Sequence, residues 1–458
     1  MAPPPPRGWL LGLLALALLA RLPGLSRSLW YDELFTLVHF AASPRDALAR
    51  QVEANNHPLA SLLAWAAAPL STGEASLRAP FLVLGALAVP ALAWAVARQA
   101  GPLTGRLAGA FAALAPLHVA YAQQVRGYAP LLLLATLLLH LVPRALAGDA
   151  RRRDEVALGA CAALGVFSHA TLLLPLAGWA ALALVAPRLG LAPPAGRAAA
   201  LRGLLTGALG GLVLMAPTVD DLWKHGRRAL RPVDRALSGP FDPGRLSLQD
   251  LLDLPGGAGA AASLAGLVLA LALLALAARG AAARRASPAL ACWCVPPACA
   301  LALVALGAPA FPRLALFAVP ALLALAAVGA RALPRRARAP VVVVCVALAA
   351  LRVLGQAGDE LQDCHGAVRL AREQVGPDGV VVGAGVGGSL LRVYDPSLVA
   401  DEGWSLTPAL VDEGPRPLAI VVAFPAWTPA ALRDRLAQGD GPVLLPGRVT
   451  HVAVWLAH

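Results

Sequence analysis

The chain is punctuated by eleven strongly apolar runs, at 9–25, 79–97, 107–122, 129–147, 155–168, 170–187, 203–219, 257–279, 288–307, 314–330 and 340–354. The short intervals between them carry the arginines. In hydrocarbon no water is available to the backbone, so an apolar run approaching ~20 residues must satisfy its own hydrogen bonds as a helix. Composition agrees: 58% of residues are hydrophobic, 14% are charged and mean hydropathy is +0.68. No soluble fold buries that much apolar surface. The sequence therefore predicts an α-helical polytopic membrane protein of about eleven transmembrane helices.

The net charge of +12 raises nucleic acid as a partner. The arginines instead fall in clusters at alternate ends of the runs: Arg98/Arg106, Arg144/Arg151/Arg152/Arg153, Arg188/Arg197/Arg202, Arg279/Arg284/Arg285 and Arg331/Arg335/Arg336/Arg338. That is how topology signals are placed, with cytoplasmic ends basic, and no nucleic-acid partner is expected. The apolar segment 58–71 is about 14 residues long, too short to span. Read as a helix lying on the outer face, it keeps every cluster inside. Asp32, His57, Arg78, Arg126 and Arg313 then all lie on the external face. The loop 220–254 also falls outside although it holds Lys224, Arg227, Arg228, Arg231, Arg235 and Arg245. Its aspartates balance them, but acids count little in that rule.

Composition changes after Leu354. Helical patterning at Cys364–Val375 and 429–438 alternates with apolar runs at 380–382, 419–424 and 451–456, the signature of a small α/β unit. The expected organisation is a transmembrane domain over 1–355, with a first external loop at 23–78, and a C-terminal extracytoplasmic α/β domain over 356–458. The run 9–20 lacks a small-residue cleavage site and reads as an uncleaved first helix. Five of the six cysteines, Cys161, Cys292, Cys294, Cys299 and Cys345, lie in apolar segments, where a thiol packs as a small hydrophobe. Gly383-Ala384-Gly385-Val386-Gly387-Gly388 follows an expected strand and superficially matches a dinucleotide fingerprint. It opens no helix, and a tight turn is the preferred reading.

Four polar islands lie at the external face. Asp32-Glu33 follows the first apolar run in Leu29-Trp30-Tyr31-Asp32-Glu33. A carboxylate at a membrane boundary is costly and persists where it binds or reacts. Asp32 suits a general base for an acceptor hydroxyl, with Glu33 in support; the alternative is an interfacial helix cap. His57-Pro58 precedes the short apolar segment, and His57 either contacts substrate or metal or caps a turn. Gln123-Gln124-Val125-Arg126-Gly127-Tyr128 lies between two runs. Its Arg126 suits a phosphate, whose geometry matches the guanidinium fork, or a salt bridge to Asp32 or Glu33. Phe311-Pro312-Arg313 precedes a late run and offers a second phosphate ligand. Arg78 is a further candidate, with Glu74 at i−4 as its alternative partner.

The order of these islands resembles the GT-C glycosyltransferases, specifically the protein O-mannosyltransferase and aminoarabinose-transferase-like family. The resemblance rests on Leu29-Trp30-Tyr31-Asp32-Glu33, His57-Pro58, Glu74-Ala75-Ser76-Leu77-Arg78-Ala79-Pro80, Ala122-Gln123-Gln124-Val125-Arg126-Gly127-Tyr128 and Phe311-Pro312-Arg313. It is good over 20–180, loose to 330 and weak beyond. Leu59 replaces a second proline, and Leu34-Phe35 is bulkier than the usual small residue. Gln123, Gln124 and Arg126 stand where some members carry a second acidic motif. A divalent metal would lack its obvious carboxylate there, and no cofactor is assigned.

The resemblance implies inverting transfer of a sugar from a polyprenyl-phosphate donor to a hydroxyl acceptor. Asp32 and Glu33 would be catalytic, and Arg126, Arg313 and Arg78 would bind the donor phosphate. His57, Tyr128 and Gln124 would position substrate. It also implies a bacterial inner-membrane protein in contact with membrane lipid, its site extracytoplasmic. Two other classes fit a many-spanned chain. A lipid or glycan transporter or flippase would place polar residues near the bilayer midplane and show internal repeats, whereas these islands sit at one face. A non-catalytic cell-envelope assembly protein would need neither Asp32 nor Arg126.

Overall fold

Prolines and side-chain caps decide where the apolar runs become separate helices. The computed structural model describes residues 5–51, 55–70, 73–220, 260–283, 287–306, 312–356, 361–384, 388–400, 417–423, 442–445 and 452–457. Glu53, most of the basic loop 220–254, Phe311, Gly385 to Gly387 and the helical stretch 429–438 lie outside the described residues.

The N-terminal half runs α1 Arg7–Leu19, α2 Tyr31–His39, α3 Pro44–Ala49, α4 Pro58–Ala67, α5 Glu74–Ala100, α6 Pro102–Leu114, α7 Pro116–Ala122, α8 Tyr128–Leu146 and α9 Arg152–Ser168. It continues through α10 Leu173–Val185, α11 Pro194–Met215, α12 Ala260–Ala283, α13 Pro288–Ala305, α14 Val319–Arg331 and α15 Arg335–Gln356. Among the described residues six helices are long and apolar enough to cross a membrane, or seven if the bent pair α6–α7 counts as one span. α1, α4, the 170–185 stretch and the apolar part of α12 are shorter. The count of eleven spans thus rests on the sequence pattern, not on helix length alone. The segment after His57 is a ten-residue helix, as its length predicted.

Pro116 bends α6 against α7 by 57°. It has no N–H to offer the Ala112 carbonyl and its ring blocks the helix from continuing. Arg21, fully buried, takes up the freed groups: it donates to Ala113 O at 3.2 Å and Ala112 O at 3.4 Å, and also to Ala17 O at 2.7 Å. Its remaining neighbour is His118 Nδ1 at 2.8 Å. An arginine without a carboxylate is tolerated here because the helix break supplies carbonyls. Elsewhere small residues set the packing. Gly203, Gly207 and Gly211 form a stripe on α11 that lies against Leu158, Ala162 and Val166 of α9. A Cβ at Gly207 would come within 2.4 Å of Ala162 Cβ, so glycine allows the close approach.

Past α15, helix α16 (Cys364–Val375) matches the predicted helix, and the apolar runs become β1 Val380–Ala384, β3 Leu418–Val422 and β5 Val452–Ala457, with short strands β2 Val399–Ala400 and β4 Val443–Leu445. The sheet order is β2-β1-β3-β5-β4. β1 runs parallel to β2 and β3, Val382 pairing with Ile420; β5 is antiparallel to β3 and β4. Residues 388–393 after the glycine cluster form a 3-10 turn and open no α-helix.

This C-terminal unit does not own all its core. Val368, Val381, Leu391, Ala419 and Val454 share one buried cluster with Leu29, Leu34, Phe35, Phe40 and Phe81. Polar contacts reinforce the seam: Leu29 N donates to Tyr394 Oη at 2.6 Å, Tyr31 N to Gln362 Oε1 at 3.1 Å, and His365 N to Ser28 Oγ at 2.9 Å. All three bonds hold residues 28–31, immediately before Asp32.

Candidate active site

The site forms where α2, the loop before α4, the α7–α8 turn, the α9–α10 junction and the 3-10 segment Pro312–Ala318 meet. α2 begins after extended Trp30, whose N–H is accepted by Glu33 Oε2 at 3.3 Å. A carboxylate in a first helical turn also meets the positive end of the helix dipole. Asp32 and Glu33, adjacent in sequence, point to different partners from there.

Glu33 is fully buried and meets Arg78 side-on. Arg78 Nε donates to Glu33 Oε1 at 2.9 Å and Nη2 to Oε2 at 2.5 Å. The other Arg78 donors reach the carbonyls of Leu25 at 2.9 Å, Arg27 at 2.5 Å and Ser28 at 3.0 Å. All five guanidinium N–H groups therefore have acceptors. Glu33 Oε1 also accepts from Val125 N at 2.9 Å, which ties the α7–α8 turn to α2. In this geometry two of the expected site residues are engaged with each other. Arg78 has no donor left for a phosphate, and Glu33 has no access to an acceptor. They form a structural bolt. Glu74 is not the partner of Arg78; it bonds His365 Nδ1 at 3.1 Å.

Asp32 is 7% exposed and faces the other way. Arg313 Nη1 lies 3.0 Å from its Oδ2, and Arg126 Nη2 lies 3.8 Å away. Arg313 is half-buried and also bonds Tyr128. Arg126 is almost completely buried. It donates to Thr36 Oγ1 at 3.2 Å and Asn55 O at 3.0 Å, and to the Asn55 side-chain oxygen. Its guanidinium lies 5.9 Å from the Tyr128 ring centroid. Of the two readings of Arg126, the salt bridge to Asp32 is present, and its Nε has no acceptor. Gln124 is buried beside it with Oε1 unpartnered.

His57 stands immediately before α4, ahead of Pro58, without a side-chain capping bond, and packs 5.7 Å from Tyr128. A second histidine, not singled out in the sequence, stacks on it: His169, at 4.6 Å and 23°. Its only sequence signal was the polar Ser168-His169 gap between two apolar runs. Burial and the charges of Arg126 and Arg313 hold the His169 imidazole down at about pKa 3, and burial with Arg126 pushes His57 well below its usual range. Gly127 lets these segments meet. A Cβ there would stand 2.2 Å from Ser168 O and 3.0 Å from His57, and Ser168 Oγ donates to Gly127 O at 2.7 Å. Asn55, Thr36 and Tyr121 also join the site, Tyr121 edge-on to Tyr128 at 4.9 Å; Asn55 lies in the polar stretch before His57, and nothing in the local sequence marked Thr36 or Tyr121. Among the described residues no group of three His, Cys, Asp or Glu side chains is placed to hold a metal.

Seven of the eight expected residues thus converge: Asp32, Arg126 and Arg313 form a charged triad, Tyr128 and His57 flank it, Gln124 adjoins it, and Glu33 anchors it from behind. Arg78 stands on the far side of Glu33.

A polytopic helical bundle joined to a small mixed sheet is a fold that this chain shares with solved glycosyltransferases of the GT-C type. The similar solved structures include ArnT from Cupriavidus metallidurans in the apo state, with TM-score 0.58, 16% identity, and coverage of 98% of this chain and 97% of that one. The same protein bound to undecaprenyl phosphate gives TM-score 0.57 and 16% identity, covering 98% of each chain. The archaeal oligosaccharyltransferase AglB from Archaeoglobus fulgidus, in complex with an inhibitory peptide and a dolichol-phosphate, gives TM-score 0.51 and 12% identity over 97% of this chain and 74% of that one. No family model and no curated protein sequence matches the chain significantly.

Proposed function

We propose that this protein is a membrane glycosyltransferase that moves a sugar from a polyprenyl-phosphate donor to a hydroxyl acceptor at the external face of a bacterial inner membrane, with inversion. One observation carries the reading: Asp32 is a carboxylate held by two arginines, 3.0 Å from Arg313 and 3.8 Å from Arg126, at the edge of an apolar bundle. The structures that share the fold, one bound to undecaprenyl phosphate and another to a dolichol-phosphate, support a lipid-phosphate donor.

The donor phosphate competes with Asp32 for the two guanidinium groups. Its arrival frees a carboxylate lone pair for the acceptor. Asp32 takes the acceptor proton, the acceptor oxygen forms its bond to the anomeric carbon, and the bond from that carbon to the phosphate oxygen breaks on the opposite face. The electron pair leaves with the polyprenyl phosphate, whose charge Arg126 and Arg313 offset. Tyr128 and His57 present hydrogen-bonding edges to the sugar or acceptor, and the apolar helix faces accommodate the prenyl chain. Arg78 and Glu33 hold the α2 start against the α7–α8 turn and take no chemical part.

The test is transfer of radiolabelled sugar from lipid-phosphate donors by purified protein and by its Asp32→Asn variant. Transfer by the wild type alone is expected. Equal turnover by the variant would remove Asp32 as base, and no turnover by the wild type with any such donor would favour transport or assembly.

A further inference from the structure

The geometry points to His169 as a third hydrogen-bond donor to the phosphate of the donor lipid, a role that rests on the donor reading just given. His169 closes α9 and precedes the 3-10 turn Ala170–Leu172. The Thr171 backbone N–H, which can only donate, points at His169 Nδ1 at 3.4 Å, and the Thr171 hydroxyl sits 2.8 Å from the same nitrogen. Nδ1 is therefore an acceptor, and the ring proton of the neutral imidazole resides on Nε2. The ring is pinned between that turn and the His57 face. His169 is 7% exposed, and among the described residues its hydrogen bonds run from Nδ1 to Thr171, leaving Nε2 for the site.

Arg126 Nε, in the same cluster, is a buried donor without an acceptor among the described residues. Buried polar groups are nearly always paired, so this donor, beside the Nε2–H of His169, calls for a group that accepts. The charges of Arg126 and Arg313 both act on His169, which makes that acceptor anionic rather than a sugar hydroxyl. A phosphate oxygen between the arginines satisfies both. The unpartnered Gln124 Oε1, an acceptor, is left for a hydroxyl. Because Thr171 occupies Nδ1, His169 serves as a neutral donor and leaves the proton transfer to Asp32.

The experiment is equilibrium binding of farnesyl phosphate and of farnesol to the purified full chain in detergent, for wild type, His169→Phe and His169→Gln. Phenylalanine keeps the stacked ring and removes the N–H; glutamine keeps an N–H donor. His169→Phe should weaken farnesyl phosphate about tenfold and leave farnesol unchanged, as expected for loss of one bond to a charged group. His169→Gln should stay within about threefold of wild type, one donor replacing another. Equal phosphate binding by His169→Phe and wild type overturns the assignment, as does a parallel loss for farnesol, which would mark a packing role. A wild type that does not distinguish phosphate from alcohol overturns the donor reading itself.

Discussion

Asp32 Oδ2 and Arg313 Nη1 lie 3.0 Å apart although 281 residues separate them in the chain. The contact joins the first turn of α2 to the lead-in of α14, and it makes the candidate base and a candidate phosphate ligand one electrostatic unit. A resting ion pair of this kind is exchanged when a stronger anion arrives. Under the proposed function the site is therefore assembled before a donor binds and is altered by it.

Replacing Asp32 by Asn should lower transfer at least about a hundredfold, the usual contribution of a positioned base. Donor affinity should hold or rise, because the amide no longer competes for Arg126 and Arg313. Transfer and donor binding measured on one preparation decide the matter. A fall in both would mean that Asp32 positions the arginines instead of taking a proton.

Arg126 spans Thr36, Asn55 and Asp32 with one planar fork. A lysine has no fork, so Arg126→Lys should weaken donor-phosphate binding about tenfold despite the retained charge. Isothermal titration with a short-chain polyprenyl phosphate reads this, and unchanged affinity would reject the phosphate role.

Arg78→Met leaves Glu33 buried without its partner and should destabilise the protein by about 3–5 kcal/mol. The double variant Arg78→Met/Glu33→Leu should recover much of that loss. Thermal unfolding in detergent measures both, and the protein that remains folded should bind donor normally. A selective loss of donor binding with normal stability would return Arg78 to the site.

Gly127→Ala drives a Cβ to 2.2 Å from Ser168 O, a contact the backbone must move to relieve. The expected result is loss of transfer with retained expression, because the shift separates His57 and His169 from Arg126. Wild-type activity in this variant would show that the α7–α8 turn adapts.

His169 ties stability to pH. Its imidazole is held near pKa 3 in the folded protein against an ordinary 6.5, so the unfolded chain binds more protons between those values. The stabilising neutral form is fully present above about pH 6.5 and is lost as pH falls towards about 3. Lowering pH from about 7 to about 5 should cost about 2 kcal/mol through this residue. Unfolding profiles of wild type and His169→Phe should differ by that slope; parallel profiles would rule it out.

Much of the architecture was legible in the chain. Apolar runs gave the helices because a bilayer leaves the backbone no other partner; Cys364–Val375 followed from its helical patterning and the three long strands from their short apolar runs. Asp32, His57, Arg126 and Arg313 could be placed on one face because arginine clusters order the spans. The division of labour between Asp32 and Glu33 was not legible. The two residues are chemically alike and adjacent, and only the helical turn of α2 aims one at Arg313 and the other at Arg78.

His169 and Thr36 were invisible for a similar reason: a lone polar residue in or beside a helix reads as a local cap until its neighbours in space are known. The sequence by itself determined a membrane-embedded helical chain with polar islands set apart from its arginine clusters, because hydropathy and charge act locally along the chain. Tertiary structure alone decided which cation meets which anion and that the C-terminal unit shares its core with residues 29–41. Those are short-range interactions between segments up to hundreds of residues apart, and only packing brings them within reach.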